Sequence, residues 1–513
     1  MQLTTTEFDT LRDGNVTPIS WAYRMSFDKA YDDNVSFFTL DSSVLDGIDV
    51  LAPDNNDPIQ QWDKYTYAPY TDRVIYMEWS RELEFPFSVS SAMADIQLEN
   101  TDNYFTPNSG SLIDQYILPK RPIRLLAGFN GLNIPQFVGI TEKSPVIEDH
   151  KTATFHALDF LSELYTMPIT ETISMQDATT DEVLVEIFTQ FGMLPSQYTL
   201  DTGINVIPFV FFDPDTNAGG IFRDLMEAEM GNLWLDETGQ IRFNNRYNTV
   251  NAAVYTFDKT NVLDIRGNGD TNIINAVKIN ADIRELQVFQ PVYTLTTGGT
   301  AFIIEPNSSK VFNISLTDPC TTVTTPTLGL SSVTSWFTAL KTSDSTASTA
   351  TITGVSLKTN SYTIFFSNPN VFQVTIDAME VWGTPAKVID KGIRYKEINQ
   401  PSIDKYGEQV LVIDNNFIQS TSQCDSLAIP ILQSYSIYAG QLELEVHVNP
   451  ALQLNDILYI DVDDYVGEYR LIRIQNRLGD NNFTQKLTVV DTEIFNFFQL
   501  DSSLLDGPDV LGI

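Results

Sequence analysis

From Arg73 onward the chain keeps the two-residue period of β-structure, and that period limits the fold more than any other feature it has. Ala94-Asp95-Ile96-Gln97-Leu98-Glu99 alternates strictly between apolar and polar, as a strand must when one face is buried and the other wet. Strands are likewise expected at 121–129, 135–140 and 152–157, then at 273–279, 409–413, 441–448, 457–462, 468–474 and 485–490. Asn232 to Leu235 and Gln240 to Phe243 read as a hairpin turning at Asp236-Glu237-Thr238-Gly239.

Helical signals are fewer. A short helix is expected at 158–164. Thr179 and Glu182 have capping-box spacing ahead of a stripe of Val183, Leu184, Ile187, Phe188 and Phe191, with Gly192 as the stop. A second helix is expected at 220–230, ending at Gly231. A third, at 420–435, contains Pro430, which should kink it or shift its start. Gly267-Asn268-Gly269-Asp270 reads as a turn, because no helix follows to make it a phosphate cradle.

The chain also repeats itself. Fifteen residues from Phe37 recur from Phe497, and twelve of the fifteen positions are identical. The copies bracket nearly the whole sequence, so they are not units of a solenoid. One tag at both ends is expected to meet the same kind of surface twice. The interaction residues would be Leu40, Asp41, Leu45, Asp46, Gly47, Asp49, Val50 and Leu51, and their counterparts Leu500, Asp501, Leu505, Asp506, Gly507, Asp509, Val510 and Leu511. A turn at Asp46-Gly47 or Asp506-Gly507 would present the apolar members to a groove. Docking of each end onto its own domain is the plainer alternative. Three carboxylates within nine residues could also bind calcium, although the spacing is not that of an EF-hand.

The 513 residues allow roughly three or four domains at ~100–200 residues each. The expected division is an N-terminal arm with the first tag at 1–72, part of a first β-barrel at 73–165, an α+β domain at 166–260 and return strands at 261–285. An inserted Ser/Thr-rich β-sandwich at 286–385, a second β-barrel with a helix at 386–495 and the C-terminal tag at 496–513 follow. The fold class is mainly β with small α+β parts. The alternative for the insertion is a low-complexity linker, which its regular alternation opposes.

Charge and rare residues exclude several functions. A formal net charge of −37 leaves no basic footprint for nucleic acid, so no stable DNA binding is expected. Such a surface keeps the chain soluble or lets DNA slide past; adaptation to high salt is a third account. Cys320 and Cys424 fit neither a metal spacing nor a disulfide scaffold and are expected to be buried thiols. His150, His156 and His447 lie in no catalytic motif. No signal peptide, membrane span, cofactor, catalytic residue or metal site is expected. Synthesis in a host cytoplasm follows, with any exterior location reached by assembly.

A series of elements, in order, carries a family resemblance. Ala94 to Leu98 followed by Glu99-Asn100-Thr101-Asp102-Asn103-Tyr104-Phe105-Thr106-Pro107 resembles the strand, Asn, Asp, Phe-x-Pro signature of phage tail-tip hub proteins. Arg121-Pro122-Ile123-Arg124 and Phe137-Val138-Gly139 are similar to that family's Arg-Pro-Val-Arg and Phe-x-Gly. The segment from Ala228 to Phe243 resembles its helix, glycine and Asp-Glu-x-Gly hairpin. Gly383-Thr384-Pro385, Ser402 to Gly407 and Val448 to Asp456 complete the series. The tags themselves resemble short motifs of minor tail proteins.

The resemblance implies a baseplate or tail-tip hub at the distal end of a virion tail. It would be a homotrimer with two tube-like barrels per chain, facing a hexameric distal tail or tail tube protein, holding the tape-measure protein, meeting other tail-tip or fibre proteins and gating DNA passage. Six tags per trimer would match a hexameric ring. Such hubs are structural, their enzymatic members append a lysin domain, and no residues remain here for one. The Ser/Thr-rich insertion, the long arm and Pro430 depart from the pattern. Two other readings stay open: a receptor- or glycan-binding tail protein acting through the insertion on a host surface glycan, and a cell-wall-degrading tail enzyme.

Overall fold

The computed structural model describes residues 1–14, 19–26, 67–84, 87–149, 151–247, 252–268, 273–295, 302–316, 318–324, 337–357, 361–436, 440–479 and 482–491. The chain is mainly β, built from several sheets and a handful of helices.

A fourteen-stranded sheet dominates it and is made from both halves of the sequence. Six strands of the first half, Val74–Glu82, Met93–Glu99, Thr152–Asp159, Leu132–Thr141, Pro122–Phe129 and Ile19–Met25, stand side by side in that order. They curl round a core of Met77, Trp79, Ile96, Leu125, Phe137 and Phe155. A short helical turn, Thr71–Arg73, carries the chain from the Ile19–Met25 edge into Val74–Glu82.

The second barrel repeats this plan. Val262–Asn268, Gln441–Val446, Asn482–Asp491, Tyr465–Gly479, Ile457–Val462 and Tyr255–Asp258 are neighbours in turn. A three-residue turn joins the last of them to the first. Their core holds Phe257, Leu444, Leu458, Ile460, Leu471 and Val489. The edges of the first ring meet where Ala68–Pro69 pairs with Ile19–Met25 just before the turn into Val74–Glu82; those of the second are joined by the three-residue turn.

One hairpin welds the two barrels. The Tyr465–Gly479 strand first pairs with Ile457–Val462, bulges at Leu471 and Arg473, and then pairs with Val74–Glu82. The bulge bends the strand and lets it change neighbour. Its near half sends Leu471 and Ile474 into the second core; Leu478 and Phe483 enter the first, where Phe483 meets Trp79 at 5.5 Å.

Between the barrels and the insertion lies an α+β part. Helices Thr180–Gln190, Ala218–Glu229 and Thr421–Tyr435 pack with strands Ile173–Thr179, Val206–Phe212 and Ala276–Leu286 round one large core. The insertion is a β-sandwich: a three-stranded sheet of Ser308–Ser315, Ser361–Asn368 and Thr351–Leu357 faces strands paired to the 25-residue Val374–Ile398, with a shared core of Phe337, Tyr362, Phe366 and Ile376.

Several local expectations take a different form. The short helix runs Leu161–Thr166, because Leu158 is still paired in the preceding strand. Gly267 and Asn268 belong to the Val262–Asn268 strand rather than to a turn, and 269–270 lie outside the described residues. The Ala218–Glu229 helix ends on Met230, the residue with left-handed φ of 55°. Gly231 answers another need: a Cβ there would sit 2.7 Å from the Asn244 carbonyl oxygen. The Pro430 helix starts at Thr421 and continues to Tyr435. Proline removes one helical hydrogen bond there, and its buried ring packs in the helix's apolar face.

Asp159 ends its strand in full burial, where the Ala92 N–H and the Ser91 hydroxyl each donate to its carboxylate at 2.7 Å. Burial outweighs these bonds and pushes its pKa up to about 6. A carboxyl raised on folding contributes its stability below the ordinary carboxylate range and loses it as pH rises through the folded value. A rise of roughly two units corresponds to about 3 kcal/mol. The urea midpoint is therefore expected to fall between about pH 4 and pH 7, and Asp159→Asn should flatten that slope. An equally steep fall in the Asn variant would contradict the assignment.

Candidate functional site

The two faces of the merged sheet differ in kind. On the core side the strands alternate apolar residues inward. On the other side, registered neighbours form rows of charged and polar groups across both barrels. One row runs Arg266, Glu443, Thr488, Arg473, Glu82. The next runs Asp264, Glu445, Lys486, Gln475, Ser80. A third runs Arg477, Glu78, Asp95, His156.

In these rows six carboxylates stand against four fixed cations, so the face is net negative like the chain. Contacts between strands and along one strand hold it in place. Arg473 meets Glu82 at 3.5 Å, Arg266 meets Asp264 at 2.7 Å, and His156 Nδ1 lies 2.5 Å from Asp95. Partial burial alone would raise the Glu78 carboxyl. Hydrogen bonds from Tyr76 and Gln475, with the charges of Arg477 and Lys486, hold it below its ordinary value instead. Opposed pairs of this kind each contribute roughly 0.2–1 kcal/mol and lock register more than they stabilise.

Behind this face a buried polar seam separates the two apolar cores. Its centre is the loop Val448 to Asp456, where four parts of the chain meet. Arg81 follows Met77 and Trp79 in the inward phase of its strand, yet it is a cation. Its guanidinium pairs with Glu237 and donates at 2.5 Å to the Gln136 carbonyl. Gln453 donates to the other Glu237 oxygen at 2.7 Å. Gln136 donates to the Pro450 carbonyl at 2.8 Å. Gln485 accepts from the Asn449 N–H at 2.9 Å and donates to Asn476 at 3.0 Å. The Met1 ammonium pairs with Asp456, and the Gln2 N–H donates to the Ala451 carbonyl at 2.7 Å.

Arg81, Glu237, Gln136, Asn449, Gln485 and Asn476 are all buried. Burial raises the Glu237 pKa, and the Arg81 charge opposes that rise. A buried pair adds little net stability over an apolar replacement, but removing one member leaves a charge without compensation.

The hairpin that delivers Glu237 is built for rigidity. The Asp236 carboxylate accepts from Thr238 N–H and hydroxyl, from Gln240 N–H, and from Arg242 Nε at 2.9 Å. At its base, the fully buried Glu229 accepts from Ile204 N–H, Asn205 N–H and the Thr180 hydroxyl. The signature after Met93–Glu99 has the same character. Asn100 accepts from the Phe105 N–H at 2.8 Å and donates to Thr106 at 2.9 Å, which seats Phe105 in the first core; Asp102 holds Arg73 at 2.7 Å.

All residues of the duplicated tags, Leu40 to Leu51 and Leu500 to Leu511, lie outside the described residues. The seam was missed by motif reading, though its signal is present: Arg81 breaks the inward apolar phase of Met77, Trp79 and Leu83. Both cysteines are buried, and burial pushes each thiol up to about 11, so they stay protonated and unreactive. Among the described residues no group of three or more His, Cys, Asp or Glu could hold a metal ion, and no helix is long and apolar enough to cross a membrane.

No family model and no curated protein matches the chain. Among solved structures it is similar to a 43 kDa tail protein of prophage MuSo2 from Shewanella oneidensis, at 11% identity and a TM-score of 0.45 over 84% of this chain and 97% of that one. It is similar to a tail protein from Neisseria meningitidis, at 8% identity and a TM-score of 0.47 over 84% and 95%. A third is an E. coli component of the type VI secretion system, described as structurally similar to T4 bacteriophage tail proteins, at 8% identity and a TM-score of 0.36 over 81% and 73%.

Proposed function

We propose that this chain is a structural hub of a phage tail tip. Three copies would set six barrels round a bore, join the tail tube or distal tail protein to the tip proteins, and let DNA pass. The observation that carries this is the pair of like-built barrels welded into one sheet with one continuous charged face. A globular enzyme has no need of two such rings side by side. A ring-forming part does, because two equivalent barrels per chain turn threefold symmetry into six similar positions. Support also comes from the motif series: Glu237 and Gln453 join hairpin to loop, while Asn100 and Gly139 hold a turn and a close strand contact within the first barrel.

A net-negative face toward the bore would repel phosphate and keep DNA from sticking. Sedimentation of the full chain should give a trimer, and electron micrographs of virions should place it at the tail tip. A chain that stays monomeric and is absent from virions would sink the proposal.

One observation favours a second activity in the same protein. Phe289 and Trp382 stack at 5.9 Å and 27° at the root of the sandwich, 52% and 37% exposed, with Val288 beside them 80% exposed. Trp382 Nε1 donates to Glu380 at 3.1 Å. Exposed ring faces beside a carboxylate and threonine hydroxyls suit a sugar ring of a host surface glycan. Trp382→Ala is expected to reduce adsorption of virions to host cells at least about tenfold while tails still assemble, a loss of about 1.4 kcal/mol. Normal adsorption by the variant would remove this reading.

A further inference from the structure

The sheet formed by Ala276–Leu286, Val374–Ile398 and Val410–Asp414 buries one face against the Thr421–Tyr435 helix, and among the described residues the other face is open. Its Ala276–Leu286 and Val410–Asp414 strands pair in parallel, an arrangement normally buried on both sides. Yet Val410, Val412 and Ile398 are 39%, 56% and 41% exposed on the open face. Beside them, Lys396 and Lys278 stand in one row with Val412, and Arg394 lies one row further along. Lys278, Arg394, Lys396 and Val412, with Asp282 and Asp414, border a groove of 710 Å³. In a chain with 30 Lys and Arg against 67 Asp and Glu, a lining of three cations with two carboxylates, Asp282 and Asp414, is a local excess of positive charge. Lys396 is held by Glu408 at 2.9 Å; Lys278 and Arg394 make no ion pair among the described residues.

We propose that this groove seats the chain's own C-terminal segment, 497–511. The apolar side chains of Leu505, Val510 and Leu511 would cover the exposed valines, and Asp501, Asp506 and Asp509 would meet the cations. The path of the chain supports it. The last described strand ends at Asp491, whose N–H donates to Gly440 O at 3.1 Å. Four residues before Gly440, Ser436 accepts a hydrogen bond from Asn399 at 2.8 Å, and the Ile274 N–H donates to Tyr435 O at 2.9 Å. Asn399 and Ile274 lead directly into the strand ends that carry Ile398 and Ala276.

The last described residue, Asp491, is thus linked through Gly440 and Ser436 to the end of the sheet that carries the groove. Residues 492–496 reach up to ~17 Å when extended. A tether so short makes docking intramolecular and raises the effective concentration into the mM range. The similar segment at 37–51 is disfavoured, because it is flanked by Ser26 and Tyr67 on the first barrel. The proposal does not depend on the tail-hub function.

Zero-length carbodiimide coupling of the full chain, made from a mixture of light and heavy isotopic chains before assembly, reads out the occupant. The expected links join Lys278 or Lys396 to Asp501, Asp506 or Asp509 within one isotopic species. The Lys396–Glu408 link is the internal control. Control links without any to 501–509 overturn the proposal. So do links confined to mixed-isotope pairs, which assign the groove to a second copy, and links to Asp41, Asp46 or Asp49, which assign it to the other tag. In the full chain, Val412→Glu should lower the yield of these links at least about tenfold, with the Lys396–Glu408 link intact. An unchanged yield in that variant also overturns it.

Discussion

Arg81→Met is expected to loosen the junction of both barrels by about 3–5 kcal/mol, because it strands the Glu237 carboxylate in a site closed to water. The loss should be local first. Amide exchange at Trp79 to Glu82, at Glu237 and at Gln453 should accelerate together, since the Arg81–Glu237 pair, with Gln453 on the second Glu237 oxygen, ties these three segments. Adding Glu237→Leu to Arg81→Met should recover most of the loss, as an apolar pair of similar size needs no compensation. The comparison isolates the cost of the stranded charge: the double variant should fold with near-parent stability. If Arg81→Met leaves exchange at these amides within about 1 kcal/mol of the parent, the seam does not hold the barrels together.

Gly139→Val is expected to be at least as damaging, by another route. A Cβ at this position would collide with the Leu158 carbonyl oxygen and lie 2.5 Å from the Phe137 ring. The carbonyl belongs to the strand paired with Gly139 and Ile140, so it cannot withdraw without opening the ladder. Phe137 is fully buried and cannot swing into solvent cheaply. Overpacking alone costs about 1–3 kcal/mol, and a broken ladder adds to it. The expected result is a chain that expresses as aggregate or unfolds at markedly lower urea. Gly440→Ala, with open space round its Cα, serves as the control and should be near neutral. Similar midpoints for the two variants would mean that the Phe-Val-Gly contact is not a packing constraint.

These two positions show how much of the molecule was legible in the sequence. The alternation of Met77, Trp79, Arg81 and Leu83 states which side chains point inward, and so places a cation in the core. It does not state that Glu237, over 150 residues later, arrives to meet it. The capping box at Thr179 was equally readable: the Thr179 N–H donates to Glu182 at 3.0 Å, and Gly192 follows with a left-handed φ of 72°. Signals of this kind involve residues three or four apart, and local geometry decides them. At Met230 the same logic misplaced the left-handed residue by one. Both Met230 and Gly231 are under constraint there, and only the approach of the Asn244 strand tells which constraint each obeys.

The sequence by itself determined the strand and helix alphabet, the inward phase of each strand, the acid excess and the presence of two matching tags. Those properties follow from period, composition and short-range hydrogen bonding. Only the tertiary structure decided that the strands of both chain halves join in one sheet, that its outer face carries rows of paired charge, and that the Val448 to Asp456 loop gathers four distant segments. Register between strands hundreds of residues apart depends on which apolar faces find each other, and a bulge at Leu471 and Arg473 redirects the strand that unites them.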